Sequence, residues 1–452
     1  MFRLHTARRR LHPAAVMALG FLCIILIGAA LLMLPISSRS GEKTAFLDAL
    51  FTATSATCVA GLVRVGTATH WSGFGHVVLL VLIQIGGLGF MTLASIASFL
   101  TRRTITLRER MVMSAGLNLT DNAGIVRLTR RVLFGTFAFE SIGAVVLALR
   151  FVPQFGFSRG VAMGIFHSVS SFCNAGFDLL GTPDRPFHSL TDYLHDPVVN
   201  LTVMALIVLG GLGFFVWGDI WDKHCFRRFR LHTKLVVVTT VTLLLAGFGL
   251  TLLFEWNNPQ TLGALSAPEK LMAAAFQSVT LRTAGYNTID QAALTGPAQA
   301  VSCLLMLIGG SPGSTAGGIK TVTLAVLALS AVSAMRGRVT VAAFGRTITT
   351  RSIMNAIAML IVGAGVSMIG ACAISFLEDL PLNQCAFEAV SAFATVGLSM
   401  GLTPTLHTPS CLILIALMYL GRVGVLTLGV AVLMRHREAP KLHYPDADVM
   451  VG

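Results

Sequence analysis

Two stretches of this chain carry no charged side chain over an unusual length: His12 to Ser38 and Val77 to Thr101. Each exceeds the roughly 20 residues that a helix needs to cross a hydrocarbon core. In lipid, every backbone N–H and C=O must find a partner within the protein, which confines such runs to α-helices. Charged residues make up only 12% of the 452-residue chain, about half the share of an ordinary globular protein. The expected fold class is an all-α, polytopic membrane protein.

The formal net charge of +13 does not point to nucleic acid, because the basic residues are spread between the apolar runs in short clusters. These are Arg3 with Arg8, Arg9 and Arg10; Arg102, Arg103, Arg108 and Arg110; Arg127, Arg130 and Arg131. Further on come Lys223, Arg227, Arg228, Arg230 and Lys234; then Arg336, Arg338, Arg346 and Arg351; finally Arg435, Arg437 and Lys441. Cytoplasmic loops are enriched in Lys and Arg. The clusters therefore mark the cytoplasmic face, and both termini belong there. The opposite face holds Asp48, Asp184, Asp192, Asp196, Glu255, Asp290, Glu378 and Asp379. The first apolar run is too long for a signal peptide and lacks a small-residue cleavage site, so it reads as a retained span. The eight cysteines show no zinc or disulfide spacing and read mostly as packing residues.

Four segments resemble one another: FTATSATCVAGL at 51–62, FHSVSSFCNAGF at 166–177, FQSVTLRTAGY at 276–286 and FEAVSAFATVGL at 387–398. Their glycines, Gly61, Gly176, Gly285 and Gly397, are separated by 115, 109 and 112 residues. The third copy is one residue shorter between its Phe and its Gly, which loosens its register. A second element follows each one: GGLGF at 86–90, GGLGF at 210–214, GGSPG at 309–313 and GRVGV at 421–425. Four tandem units follow, at 1–110, 111–230, 231–345 and 346–452. Each reads as a span (about 14–35, 132–152, 234–254 and 353–377), a short segment ending at the Gly motif, and a returning span. The returning spans fall at about 75–100, 198–220, 299–333 and 409–434. Eight crossings put every basic cluster on one side. The short segments must then be re-entrant, which backbone at membrane depth tolerates only inside protein or along a water-filled cavity. Four such loops are best arranged about a central axis.

A cation leaving water needs protein oxygens in place of its hydration shell, and rings of backbone carbonyls supply them. Four loops have the chemistry for this, namely Thr57-Cys58-Val59-Ala60-Gly61, Cys173-Asn174-Ala175-Gly176, Thr283-Ala284-Gly285 after Arg282, and Ala394-Thr395-Val396-Gly397. Small residues let four chains approach, and Gly permits the backbone angles that turn carbonyls inward. The stretch 309–321, GGSPGSTAGGIKT, superficially suggests a phosphate-binding loop. Such a loop needs a Gly directly before its Lys, and Ile319 intervenes here. Small residues also serve helix packing in membranes, but four matched copies favour the ion-coordinating role.

On these motifs the chain resembles the Trk/Ktr/HKT superfamily of potassium transporters, most closely the Ktr-type bacterial membrane subunit. The resemblance covers essentially the whole chain and includes GGSPGSTAGGIKT and Arg422 in GRVGVLT. It implies a pseudo-fourfold pore within one chain, a homodimer, and a cytosolic ring of nucleotide-binding regulatory subunits. It implies K+ as the transported ion, with Na+ as a second candidate, and no organic cofactor. Sodium carriers of the superfamily replace the first filter Gly by Ser, so Gly61 favours potassium. The first unit is expected to open the chain directly, without the extra N-terminal spans of many Trk-type subunits, which favours the Ktr-type resemblance.

By the same resemblance, residues Gly309, Gly310, Ser311, Pro312, Gly313, Ser314, Thr315, Ala316, Gly317 and Gly318 form an intramembrane gate beneath the filter. Pro312 removes a helical donor, and the hydroxyls of Ser311, Ser314 and Thr315 can satisfy freed backbone groups. Arg422 aligns with Gly87, Gly211 and Gly310, level with this gate. A mid-span Arg must face a cavity or partner. At roughly 7 Å and an effective dielectric near 20 it raises a passing cation by about 2 kcal/mol; a salt bridge to Glu140 or Asp219 is the structural alternative. Lys320 is expected to snorkel to the basic face, and Arg282 to point outward and anchor its loop. Glu388 is a candidate helix–loop anchor and His167 a packing residue; Gln84 and Asn200 have no assigned part.

The expected function is potassium uptake across the cytoplasmic membrane through a gated, channel-like pore. The alternative is a sodium- or proton-coupled secondary transporter with alternating access. An intramembrane enzyme with Ser314 as nucleophile would need an aligned base, and the third unit offers no intramembrane His.

Overall fold

The structure, a computed structural model, describes residues 13–89 and 125–424. The basic clusters at 3–10, 102–110 and 435–441, both termini and the far ends of the first and fourth returning spans lie outside the described residues. The chain is mostly helical. The helices run α1 (Pro13–Leu32), α2 (Phe46–Cys58), α3 (Thr67–His70), α4 (Gly73–Leu88), α5 (Ile125–Phe155), α6 (Phe157–Phe172), α7 (Pro197–Leu212) and α8 (Phe214–Lys223). They continue with α9 (Leu231–Glu255), α10 (Ala267–Thr280), α11 (Gly296–Leu307), α12 (Thr321–Met335), α13 (Thr350–Glu378), α14 (Leu382–Ala394) and α15 (Thr408–Val423). A two-stranded antiparallel hairpin, Ala342–Ala343 with Arg346–Thr347, joins α12 to α13.

Among the described residues, four stretches are single helices long and apolar enough to cross a membrane: Ala15–Leu32, Thr129–Phe155, Leu231–Glu255 and Thr350–Glu378. They wear apolar side chains outward; Phe134 and Leu149 are both 72% exposed. The short helices do the reverse. In α2, α6 and α10 the buried positions include several Ser and Thr, and in α14 they include Glu388 and Ser391. Hydrocarbon supplies a favourable surrounding for the first set and no hydrogen bonds for the second. Thr52 and Thr54 satisfy their hydroxyls on the carbonyls of Asp48 and Leu50, both at 2.7 Å, the local bond open to a helical Thr.

Each long helix packs on the short helix that follows it. In two stretches the same bond joins them: Ser168 Oγ donates to the Glu140 carbonyl at 2.6 Å, and Ser278 Oγ donates to the Leu244 carbonyl at 2.6 Å. Close approach is possible because Gly143 and Gly247 lie directly against those hydroxyls.

The returning spans depart from expectation: none runs straight through its glycine motif within the described residues. The α7 helix stops at Leu212 and α8 leaves at 92° to it. The break falls at Gly213 (φ 94, ψ 139), and α4 and α15 stop likewise at Gly89 (φ 83, ψ 143) and Gly424 (φ 90, ψ 129). Only glycine occupies that backbone region freely. The fourth residue of GGLGF and GRVGV therefore ends a helix and does not merely pack it. In the third stretch, residues 308–320 separate α11 from α12.

Candidate functional site

The four short helices end in the same way. Val59, Asn174, Thr283 and Thr395 all take left-handed angles, with φ of 57°, 59°, 68° and 54°. Two residues on, Gly61, Gly176, Gly285 and Gly397 have φ of 80°, 69°, 83° and 93°. Three of the first set are β-branched, for which positive φ is a genuine outlier and costs about 1–3 kcal/mol each. Sequence reasoning placed the unusual angle on Gly alone and missed these partners. Nothing in Val or Thr signals a left-handed residue; only the matched spacing could have.

The glycines also meet in cyclic order. A Cβ at Gly61 would lie 2.7 Å from the Ala175 carbonyl oxygen, and one at Gly176 would lie 2.8 Å from that of Ala284. One at Gly285 would lie 2.6 Å from the Val396 oxygen, and one at Gly397 would lie 2.6 Å from the Ala60 oxygen, which closes the circle. Each loop thus leans on its neighbour through backbone atoms, where only hydrogen fits. The shorter third copy keeps its register when counted from its glycine. There the Ala284 N–H reaches Thr280 O, four residues back, whereas those of Ala60, Ala175 and Val396 reach Ser55, Ser170 and Ser391, five back.

Buried side chains brace the loops. Ser170 Oγ donates to Phe177 O at 2.8 Å and accepts the Phe177 N–H at 3.0 Å. Thr280 Oγ1 donates to Tyr286 O, and Ser391 Oγ accepts the Gly397 N–H at 3.1 Å. Glu388 is the helix–loop anchor, accepting from Ser399 Oγ, Met400 N and Thr403 Oγ1 at 2.6, 2.9 and 2.7 Å. His167 does more than pack: its Nδ1 lies 2.8 Å from Met163 O, and its Nε2 accepts the Leu179 N–H at 3.3 Å. Asn200 gathers the carbonyls of Tyr193, Leu194 and Asp196 before α7.

The first glycine of each second motif lets a backbone into contact: Gly86 meets the Thr57 carbonyl, Gly210 that of Phe172 and Gly421 that of Phe393. Gly309 instead meets the Gly317 carbonyl and the Thr283 methyl group. Residues 309–318 therefore lie against the loops. Gly317 abuts the Thr395 hydroxyl, Gly318 packs on Ala394, and Thr315 Oγ1 donates to Phe172 O at 3.3 Å. The same stretch supplies two donors and one acceptor to the interrupted α7–α8 pair. Ser311 N reaches Gly211 O at 3.0 Å, Thr315 N reaches Gly210 O at 3.3 Å, and Phe214 N reaches Gly313 O at 2.8 Å. Two broken helices satisfy each other's freed backbone groups, as burial demands. Within the loop, Ser314 Oγ donates to Ser311 O at 2.7 Å, and Thr321 Oγ1 donates to Ser311 Oγ at 3.0 Å. Gly310 packs on Ala316.

Arg422 joins these parts. Its guanidinium donates to the carbonyls of Thr315 and Gly86, and to Gly87 O at 3.3 Å. Gly86 and Gly87 close α4, where a cation suits the helix dipole. Neither suggested carboxylate pairs with it. Glu140 receives Gln84 Nε2 at 3.1 Å on both oxygens, while Asp219 holds Lys223 at 2.7 Å. Gln84, unassigned from sequence, thereby ties α4 to α5, with Cys173 Sγ 3.8 Å from Glu140 Oε1.

Two expectations are corrected. Lys320 does not extend to the basic face; its Nζ folds back on Ala316 O at 2.6 Å and Gly317 O at 3.3 Å. It precedes the first residue of α12, where a cation opposes the dipole, and the loop carbonyls are the nearer acceptors. Arg282 does not point outward: it is 7% exposed, and its Nε and Nη1 meet no hydrogen-bond partner among the described residues. The equivalent positions Cys58, Cys173 and Ala394 are fully buried too, because the packed helices enclose this side of every loop.

A protein-family model described as TrkH, cation transport protein, matches residues 15–441. The chain is 41% identical over 450 residues to the potassium/sodium uptake protein NtpJ of Enterococcus hirae, covering 98% of each. It is 40% identical over 443 residues to the Ktr system potassium uptake protein B of Bacillus subtilis, covering 98% of this chain and 97% of that one. The crystal structure of the potassium transporter TrkH from Vibrio parahaemolyticus superposes with a TM-score of 0.71 at 17% identity, over 95% of this chain and 86% of that one; this is likeness of fold.

Proposed function

Since the chain belongs to the TrkH family of cation transport proteins, we propose that it conducts potassium into the cell through a gated pore at the meeting point of the four loops. It is an integral membrane transport protein and not an enzyme. The observation that carries the potassium reading is the alternation of left-handed residues at Val59/Gly61, Asn174/Gly176, Thr283/Gly285 and Thr395/Gly397. Such alternation turns successive carbonyls to one side. In a ring of four loops it supplies the oxygen cage that replaces a cation's water. The strain is borne by three β-branched residues, which supports a functional cause.

Residues 309–318 then act as the gate. They sit against three of the four loops, and Arg422 ties them to α4 through carbonyl bonds. A guanidinium level with the gate opposes the passage of a cation. The names of the relatives favour potassium, and one includes sodium, so Na+ is the second candidate ion; a coupled carrier is the alternative mechanism. A homodimer in the cytoplasmic membrane, with basic loops and termini inside, follows the same reading. So does a cytosolic regulatory partner, in keeping with a relative named for a Ktr system.

The test is cation flux into proteoliposomes holding the purified chain alone, with K+, Rb+ and Na+ gradients compared. Uptake of K+ and Rb+ down their own gradients supports the pore. Uptake only under an imposed Na+ or H+ gradient replaces it with the coupled carrier.

A further inference from the structure

The bend between α7 and α8 turns the chain by 92°, so α8 runs across the direction of the preceding helix. It is amphipathic: Phe214, Val216 and Asp219 are buried, while Trp221 is 78% exposed. Phe226, Arg227, Arg228 and Arg230 follow, all exposed. The 342–347 hairpin lies alongside, with the Phe226 and Phe344 rings 6.1 Å apart and Lys234 Nζ 5.8 and 5.5 Å from their centres. Beneath it, Val326, Val341, Ile348 and Ala356 form a cluster against Leu231. The surface thus sits where α9 and α13 begin and α12 ends, at the limit of long apolar helices.

Its charge is one-sided. Among the described residues, Asp219 is taken by Lys223 and Arg230, and Asp222 by Arg131. Among those residues, no carboxylate pairs with Arg227, Arg228, Arg336, Arg338, Arg346 or Arg351. Exposed aromatic rings at the end of an apolar span sit at headgroup level. An in-plane amphipathic helix followed by arginines is the arrangement that holds anionic lipid.

We infer that the surface made by α8, the 224–230 turn and the 342–347 hairpin binds the headgroups of anionic phospholipids. An acidic soluble protein would satisfy the arginines but would not account for the exposed Trp221 and Phe226 at the boundary of the apolar spans. The inference goes beyond the conduction reading and is tested without flux.

The experiment measures binding of fluorescently labelled phosphatidylglycerol to the full chain in an uncharged detergent. Unlabelled phosphatidylglycerol, phosphatidylcholine and inorganic phosphate serve as competitors. The variant Arg227→Gln/Arg228→Gln/Arg346→Gln alters exposed side chains only; an unchanged thermal transition checks its fold. We expect displacement by phosphatidylglycerol alone and an affinity about five-fold lower per charge removed. The matching Arg→Lys variant should keep its affinity. Equal displacement by phosphatidylcholine, or by inorganic phosphate, would overturn the inference. So would a Lys variant as weak as the Gln variant. Wild-type affinity in the Gln variant would overturn it as well, because the lipid would then bind elsewhere.

Discussion

Thr315 Oγ1 and the Phe172 carbonyl oxygen are 3.3 Å apart, so the loop that interrupts one helix pair is hydrogen-bonded to the end of a short helix from another part of the chain. The Thr315 carbonyl accepts from Arg422, and the Thr315 N–H donates to Gly210 O at 3.3 Å. One residue therefore connects α6, α7 and α15. Displacing Thr315 would break all three contacts together.

If Arg422 is a barrier, removing its charge should speed conduction. Arg422→Ala is expected to raise K+ flux by up to about thirtyfold, from a barrier of about 2 kcal/mol. Deletion of residues 313–317 should raise it too. Arg422→Lys keeps the charge but cannot span the Thr315 and Gly86 carbonyls together, so a rise as large as that of Ala would assign the effect to those carbonyl bonds and not to the charge. Unchanged flux in all three well-folded variants would remove the gate from this region.

Gly61 has no room for a side chain: its φ is 80°, and a Cβ would lie 2.7 Å from Ala175 O. Gly61→Ser should therefore spread the ring and weaken discrimination between K+ and Na+, read as the ratio of initial flux rates. A ratio equal to wild type would exclude this loop from ion selection.

Glu140 is buried and bonded through Gln84. Glu140→Ala leaves the Gln84 amide without its acceptor and should lower stability by about 1–3 kcal/mol. Glu140→Gln should recover most of it. Because Cys173 is adjacent, the Ala variant is also expected to shift the K+/Na+ ratio. Equal thermal transitions in the two variants would show that the carboxylate is not braced in this way.

Glu269 opens α10 outside the long spans. The Ser266 hydroxyl, then its N–H at 2.9 Å, then His195 at 2.7 Å hold its carboxyl below the usual range. A depressed folded value means stability that is present above the unfolded value, about 4.3, and lost as pH falls through the folded one. The difference in melting temperature between wild type and Glu269→Gln should thus be present at neutral pH and close in acid. A pH-independent difference would count against the capping role.

Much of the helical frame was legible from uncharged length alone, because hydrocarbon leaves a long apolar run one way to satisfy its backbone. The loop positions were legible from their repetition. The returning spans were not: GGLGF reads equally as close helix packing or as a break, and only the angles at Gly89, Gly213 and Gly424 decide. Gln84 and Glu140 stand 56 residues apart, with no pattern in either segment to join them. Lys320 and Arg282 were misjudged because each was weighed against lipid and water, whereas their surroundings are other parts of the chain.

Composition and spacing were enough for the helical, membrane-bound character and for the residues that stand at the ends of the four short helices. Both are local properties of the chain. Folding settled the rest. Val59, Thr283 and Thr395 adopt left-handed angles, the four glycines lean on one another in a circle, and Arg422 bonds carbonyls in place of a carboxylate. Each of these depends on segments far apart in the chain, and it exists only once packing has brought their backbones to within a hydrogen bond.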